Sequence, residues 1–271
     1  MSTRVAAAKS SLLILLKFEI LENIRNGWIY LYFFVSFAGA AAIMQLSADE
    51  PIKATASLLS LSLLMIPLFS LLFSGLAFSE SMPFLETVIV RQVSRRDIYI
   101  SKFFGLGLGM GVAYLTAFML AALISFRHAQ FLSAFILMLI QGFLMHFIFC
   151  ALAMAIAGLV RRREVLIALL LIVWFYFYII YDLIIMTVGV LFGDYPIEGA
   201  VLGLFFLNPL DLMRMIILLN IDLSSLLGFG AALFQNVFGG VTGTLTAIAV
   251  LVAWIAMPFF LGLRLFLRRD L

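Results

Sequence analysis

SESMPFLETVIVRQVSRRDIYISK, residues 79–102, lies between two apolar runs that are each long enough to cross a bilayer. Its four cations are Arg91, Arg95, Arg96 and Lys102, and its acids Glu80, Glu86 and Asp97. Pro83 suits the first turn of a helix. Phe84, Leu85, Val88 and Ile89 then form an apolar stripe, with Glu86 and Arg91 on other faces. Ser94-Arg95-Arg96-Asp97 reads as a capping box, in which Ser94 accepts from the backbone of Asp97 and Asp97 reaches back. The stretch predicts a short helix across the membrane surface, a turn, and re-entry into a span. An ordinary interfacial linker is the plainer alternative.

Working outward, the apolar runs at 28–46, 57–78, 103–125, 131–160, 165–191 and 241–263 read as six membrane spans, at roughly 20 residues per crossing. Threading them in alternation places Arg4, Lys9, Lys17, Arg25, Arg91, Arg95, Arg96, Lys102, Arg161, Arg162, Arg163, Arg264, Arg268 and Arg269 on one side. Only Lys53, Arg127 and Arg214 fall opposite, so one side holds 14 of the 17 Lys and Arg. Retained cations mark cytoplasmic loops. The expected fold is therefore an all-α polytopic membrane protein with both termini in the cytoplasm, residues 1–271 forming a single transmembrane domain.

Composition agrees. The chain is 65% hydrophobic, with a mean hydropathy of +1.22, which leaves too little polar surface for a soluble domain of this length. A pI near 9.1 does not point to nucleic acid, because the cations flank spans and form no single basic face. Membrane lipids with anionic headgroups are the better partner. A lone cysteine, Cys150, excludes an intramolecular disulfide. No cleavable signal peptide is expected, since Lys17, Glu19, Glu22 and Asn23 interrupt the first apolar stretch.

Residues 7–26 predict an amphipathic interfacial helix. Leu13, Leu16, Ile20 and Ile24 recur at helical spacing, while Glu19, Glu22, Asn23 and Asn26 share another face. Asn26-Gly27 breaks it, and Trp28 anchors the first span at headgroup level. The long connection on the far side, 192–240, contains a second helix start. Asn208 is its N-cap, Pro209 takes the first helical position and Asp211 the first turn, with Arg214 as its one cation; the helix should run over about 209–219. A further apolar stretch, 226–238, is expected to dip into the outer leaflet or cover the span ends.

Little catalytic chemistry is visible. The phosphate-loop, H-E-x-x-H and G-x-S-x-G patterns are all missing. Asp182, in the outer half of the fifth span, is the clear intramembrane acid. Such a carboxylate either meets a tyrosine or arginine across a helix interface, lines a polar cavity, or is a structural acid near the interface. The adjacent aromatic run 174–178 is either a stacking surface for a sugar or lipid, or packing and interfacial anchoring. His146, Cys150 and Met154 share a helix face at i, i+4 and i+8, a set Cu(I) can accept. Hydrogen bonding and packing explain such a set equally simply, and no metal site is assigned.

The stretch 85–102 resembles the first cytoplasmic loop of ABC-2-type permeases. In these a Glu-containing helix leads, eight residues on, into Ser-Arg and then a lysine opening the third span; here the matching residues are Glu86, Ser94, Arg95 and Lys102. Arg25-Asn26-Gly27-Trp28 is similar to the end of the family's N-terminal amphipathic helix. Two positions depart from the pattern: Pro83-Phe84 stands where the family has Gly-Thr, and its acidic cluster is thinned to Glu80. Within the family, 207–214 resembles the outer segment of the NosY permeases of NosDFY complexes, which help mature the copper enzyme nitrous oxide reductase.

The resemblance implies an ABC-2 (type V exporter-like) permease fold in the bacterial inner membrane. It implies a homodimer with two copies of a cytoplasmic NosF-like ABC ATPase, which carries the ATP and Mg; this chain would hold no cofactor and would not be an enzyme. It assigns ATPase coupling to Phe84, Leu85, Glu86, Val88, Arg91, Ser94 and Arg95. It assigns contact with a periplasmic NosD-like partner to Asn208, Pro209, Asp211 and Arg214. An exporter of a lipid, a polysaccharide or a small toxic compound is the alternative within the fold. An intramembrane enzyme using Asp182, His146 and Cys150 is the alternative outside it.

Overall fold

The computed structural model describes residues 2–47, 50–89, 94–125, 132–192, 195, 198–220 and 241–268. Its elements are α1 (Ser2–Ile24), α2 (Gly27–Leu46), α3 (Pro51–Ile89), α4 (Arg95–Ser125), α5 (Leu132–Leu159), α6 (Arg163–Phe175), a π-turn (Tyr176–Ile180), α7 (Tyr181–Leu191), α8 (Glu198–Phe206), α9 (Pro209–Asn220) and α10 (Val241–Arg268). The described residues contain 6 helical stretches long and apolar enough to span a membrane. These are α2, most of α3, α4, α5, the α6–α7 unit and most of α10, so the expected six-span, all-α architecture stands.

Side-chain pairs align the ends of these helices. Arg163 of α6 lies 2.9 Å from Glu80 of α3, and Lys102 of α4 lies 2.9 Å from Glu19 of α1. Phe266, near the end of α10, packs on Phe78 and Tyr99. The connections rich in Arg and Lys therefore share one end of the bundle, called here the basic end.

α5 is the most buried span and forms the axis. His146 at its centre is fully buried. Its Nδ1 is 2.6 Å from Gly142 O, and a carbonyl can only accept, so Nδ1 carries the hydrogen. Nε2 is then an acceptor, and Tyr32 Oη on α2 donates to it at 2.9 Å. On α4, Tyr114 Oη reaches Met138 O and Ser62 of α3, each at 3.3 Å. One polar knot thus joins four spans where water cannot compete.

Glycines set how close α4 comes to its neighbours. Gly105, Gly107, Gly109 and Gly111 form two G-x-x-x-G pairs offset by two residues, so they face opposite sides of the helix. On one side, a Cβ at Gly105 would lie 2.6 Å from Glu19 Cβ, and one at Gly109 would lie 3.0 Å from Ile29 Cδ1. On the other, Cβ atoms at Gly107 and Gly111 would each lie 2.6 Å from a ring carbon, of Phe147 and Phe143.

Two sequence expectations need correction. The segment after Pro83 is not a separate surface helix, because α3 continues through Pro67 and Pro83 to Ile89. Membrane helices tolerate internal proline; Pro83 lacks only the N–H that would meet the Ser79 carbonyl four residues back. The second correction concerns α1. It starts at Ser2 rather than near residue 7, and part of its polar face turns inward, although Glu22 stays exposed. Glu19 and Asn23 are buried against α4, while Leu13, Ile14, Phe18, Leu21 and Ile24 are exposed. Lys102 and the bare backbone at Gly105 and Gly109 let the acid and amide side pack inward.

Candidate functional sites at the two ends of the bundle

At the basic end, α3 ends at Ile89 and α4 begins at Arg95. Phe84, Leu85, Glu86 and Val88 lie in the last two turns of α3, and Arg91 lies outside the described residues. Ser94 takes the cap position, its carbonyl accepting Ile98 N–H at 3.1 Å; Asp97 follows in the first turn. Arg95 opens the helix and is half-buried.

Two turns on, Lys102 Nζ sits 2.9 Å from Glu19 Oε2, donates to Oε1 at 3.2 Å, and reaches Glu22 at 3.9 Å. Its side chain is 5% exposed and that of Glu19 9%. Burial pushes the Glu19 carboxyl above its ordinary pKa, while the Lys102 ammonium pulls it back down. The pair welds α1 to the start of α4, directly behind the loop.

At the far end, the π-turn interrupts the fifth span. A π-turn holds an extra residue and takes its carbonyls off the i→i+4 ladder. One of them, Phe177 O, accepts Asn208 Nδ2 at 3.0 Å. The same amide donates to Asp211 Oδ2 at 2.7 Å, and Asn208 Oδ1 caps Leu210 N at 3.0 Å. Every hydrogen-bonding group of Asn208's side chain except one lone pair is thus used. The expected N-cap and helix are present, and α9 closes with Asn220.

Arg214, on the next turn of α9, reaches back to the span. Its Nη1 lies 2.9 Å and 3.0 Å from the two Asp182 oxygens and 3.2 Å from Asp211 Oδ1. Of the three alternatives for Asp182, an arginine across a helix interface is the one observed. Burial, with the Asp182 charge adding to it, pushes Asp211 up to about 7 against the pull of Arg214. Burial disfavours the Arg214 charge, yet the two carboxylates hold its proton more firmly than usual. Tyr181 Oη and Trp254 Nε1 cap the last carbonyls of α8, at Leu204 (2.7 Å) and Phe206 (3.0 Å). The α8–α9 hairpin is therefore bolted to the fifth and sixth spans.

The aromatic run is used in packing. Trp174 stacks on Tyr178 and donates to Leu64 O at 3.4 Å, while Phe177 meets Phe149 and Trp254 edge to face. His146, Cys150 and Met154 do share a face. Both ring nitrogens of His146 are engaged, however, and Cys150 Sγ faces Phe103 O and Met154 Sδ at 3.7 and 3.9 Å. That leaves no imidazole lone pair for a metal. Sequence reading missed three features: the Glu19–Lys102 pair, the Glu80–Arg163 pair and helix α8. For the first, the sign was a charged face on a helix already too charged to cross.

The chain belongs to the ABC-2 family transporter proteins, whose sequence profile matches residues 85–271. It is 29% identical over 269 residues to a probable ABC transporter permease protein NosY of Stutzerimonas stutzeri, covering 93% of this chain and 96% of that protein. It is 27% identical over 271 residues to a probable NosY permease of Pseudomonas aeruginosa, covering 93% and 94%.

Proposed function

We propose that this chain is the membrane subunit of an ATP-driven, NosDFY-type complex in the bacterial inner membrane. In this reading two copies pair with two copies of a cytoplasmic NosF-like ATPase, which binds the ATP and Mg. The observation that supports it best is the length of α3. Its 39 residues extend about 58 Å at 1.5 Å per residue, nearly twice the ~30 Å hydrocarbon thickness. One unbroken rod therefore joins the bundle core to the segment assigned to ATPase coupling, Phe84–Arg95. Closure of the ATPase pair pulls these rod ends, and the spans tilt as rigid bodies. The Lys102–Glu19 pair carries α1 along. At the far end, Asn208–Arg214 passes the motion to a periplasmic NosD-like partner, in the service of copper-site maturation in nitrous oxide reductase.

The test is purification of the full chain in mild detergent together with the products of neighbouring genes. The expected result is co-purification of an ATPase and a periplasmic protein, with Glu86→Ala losing the ATPase or uncoupling its turnover. An ATPase stimulated by lipid or drug, with no periplasmic protein attached, would replace this reading by an exporter. ATP hydrolysis by the chain alone would overturn both.

A further inference from the structure

A groove of about 460 Å³ opens on the outer surface where α1, α2 and α4 meet, within the range of roughly 300–1,000 Å³ usual for ligand sites. Ile20 and Ile24 of α1 form one wall, Phe33 and Phe34 of α2 another, and Leu108 and Val112 of α4 the floor. Gly109 also lines it, so the α1–α2 corner sits close on α4 with no side chain filling the gap. Thr116 on its rim turns its hydroxyl back to Val112 O at 2.8 Å and Ala113 O at 3.0 Å. The groove thus offers carbon and takes carbon.

Its charge surroundings identify the occupant. Lys17, Ile20 and Ile24 fall on one helix stripe, at i, i+3 and i+7. Lys17 is exposed, and its neighbours Leu13, Ile14 and Phe18 are 63%, 65% and 52% exposed. Such a surface suits hydrocarbon, and a lysine within it extends its ammonium to the headgroup layer. Glu19 lies beside Lys102 and Gly105, and Asn23, one turn later on α1, beside Gly109, so α1 runs along α4 in the same direction and Lys17 lies toward the basic end. An exposed cation therefore stands on the basic-end side of an apolar slot.

We propose that this groove binds one chain of an anionic phospholipid from the leaflet at the basic end, its phosphate held by Lys17. A second copy of the protein fits less well, because packing there would bury Lys17 while the nearest buried acid, Glu19, already pairs with Lys102. The site stands apart from the ATPase reading and is tested by lipid retention.

The full chain is purified in mild detergent and its retained lipids are counted by native mass spectrometry, with phosphatidylglycerol and phosphatidylethanolamine as probes. Wild type should keep one lipid per chain, with phosphatidylglycerol preferred. Val112→Trp, which fills the floor, should lower retention about tenfold at an unchanged melting temperature. Ile136→Trp, equally exposed on α5, should not. Lys17→Gln should keep lipid but lose the headgroup preference. Retention in Val112→Trp equal to that in Ile136→Trp would overturn the proposal. So would efficient disulfide cross-linking between two copies through Tyr30→Cys, a position that also lines the groove, which would give the groove to a second chain.

Discussion

Replacing Lys102 by methionine strips the charge partner from a carboxylate whose side chain is 9% exposed. Breaking a buried ion pair by removing one member costs about 3–5 kcal/mol. Glu19 has an escape, because burial has already raised its pKa and it can take a proton. The loss therefore belongs at the lower end, about 3 kcal/mol, or a fall of roughly 6–12 °C in melting temperature at about 2–4 °C per kcal/mol. Glu19→Met should cost less, since Lys102 keeps Glu22 at 3.9 Å as a fallback. The double substitution removes both charges and should return to within about 1 kcal/mol of wild type. Acid should also rescue Lys102→Met alone. A carboxyl whose pKa is raised by folding holds more protons in the folded state, so stability rises as pH falls through that window. Thermal unfolding of all four proteins in detergent, at about pH 8 and about pH 5, reads the cycle. A Lys102→Met protein as stable as wild type, or a double variant as weak as the two losses added, would refute the idea that these charges stabilise α1 only as a pair.

Arg214→Met leaves Asp182 and Asp211 facing each other without a cation. It should loosen α9 from the fifth span, raising protease sensitivity there, and the charge swap Asp182→Arg with Arg214→Asp should restore part of the protection. Asp211, pushed up to about 7, keeps its proton while the unfolded chain loses its own near 4. Wild-type stability should therefore fall as pH rises through that interval, and Asp211→Asn should flatten that part of the melting-temperature profile. Gly107→Ala places a Cβ 2.6 Å from the Phe147 ring and should cost about 1–3 kcal/mol by overpacking, with Phe147→Leu as a partial rescue. Gly199→Ala, which meets nothing within 4 Å, should be neutral or slightly stabilising in the same melts.

The spans were readable because a bilayer demands length and carbon, and both show in composition. The α9 start was readable too, since Asn208, Pro209 and Asp211 act within one turn and local chemistry is written locally. Asp182 could be singled out for its depth, but sequence alone left open whether its partner was a tyrosine or an arginine, and Arg214 is 32 positions away. The packing of α1 is hidden from the sequence for a related reason. A moment drawn on one helix says which residues are polar, not whether water or a neighbour receives them, and the receiving surface was made by glycines that show no polarity at all. Pro83 misled in the same way: a rule learned from helices in water expects a start, whereas within a packed bundle the helix ran on.

The π-turn carries a consequence for how this chain can change over time. One surplus residue at Tyr176–Ile180 advances everything after it by about 100° around the helix axis. Losing a single codon there would leave the span helical, apolar and of passable length, yet would swing Asp182 away from Arg214 and withdraw the Phe177 carbonyl from Asn208. The outer hairpin's attachment thus hangs on a reading of length that no side-chain substitution table would flag. Lineages that lost the surplus residue would have to rebuild the whole attachment from other side chains.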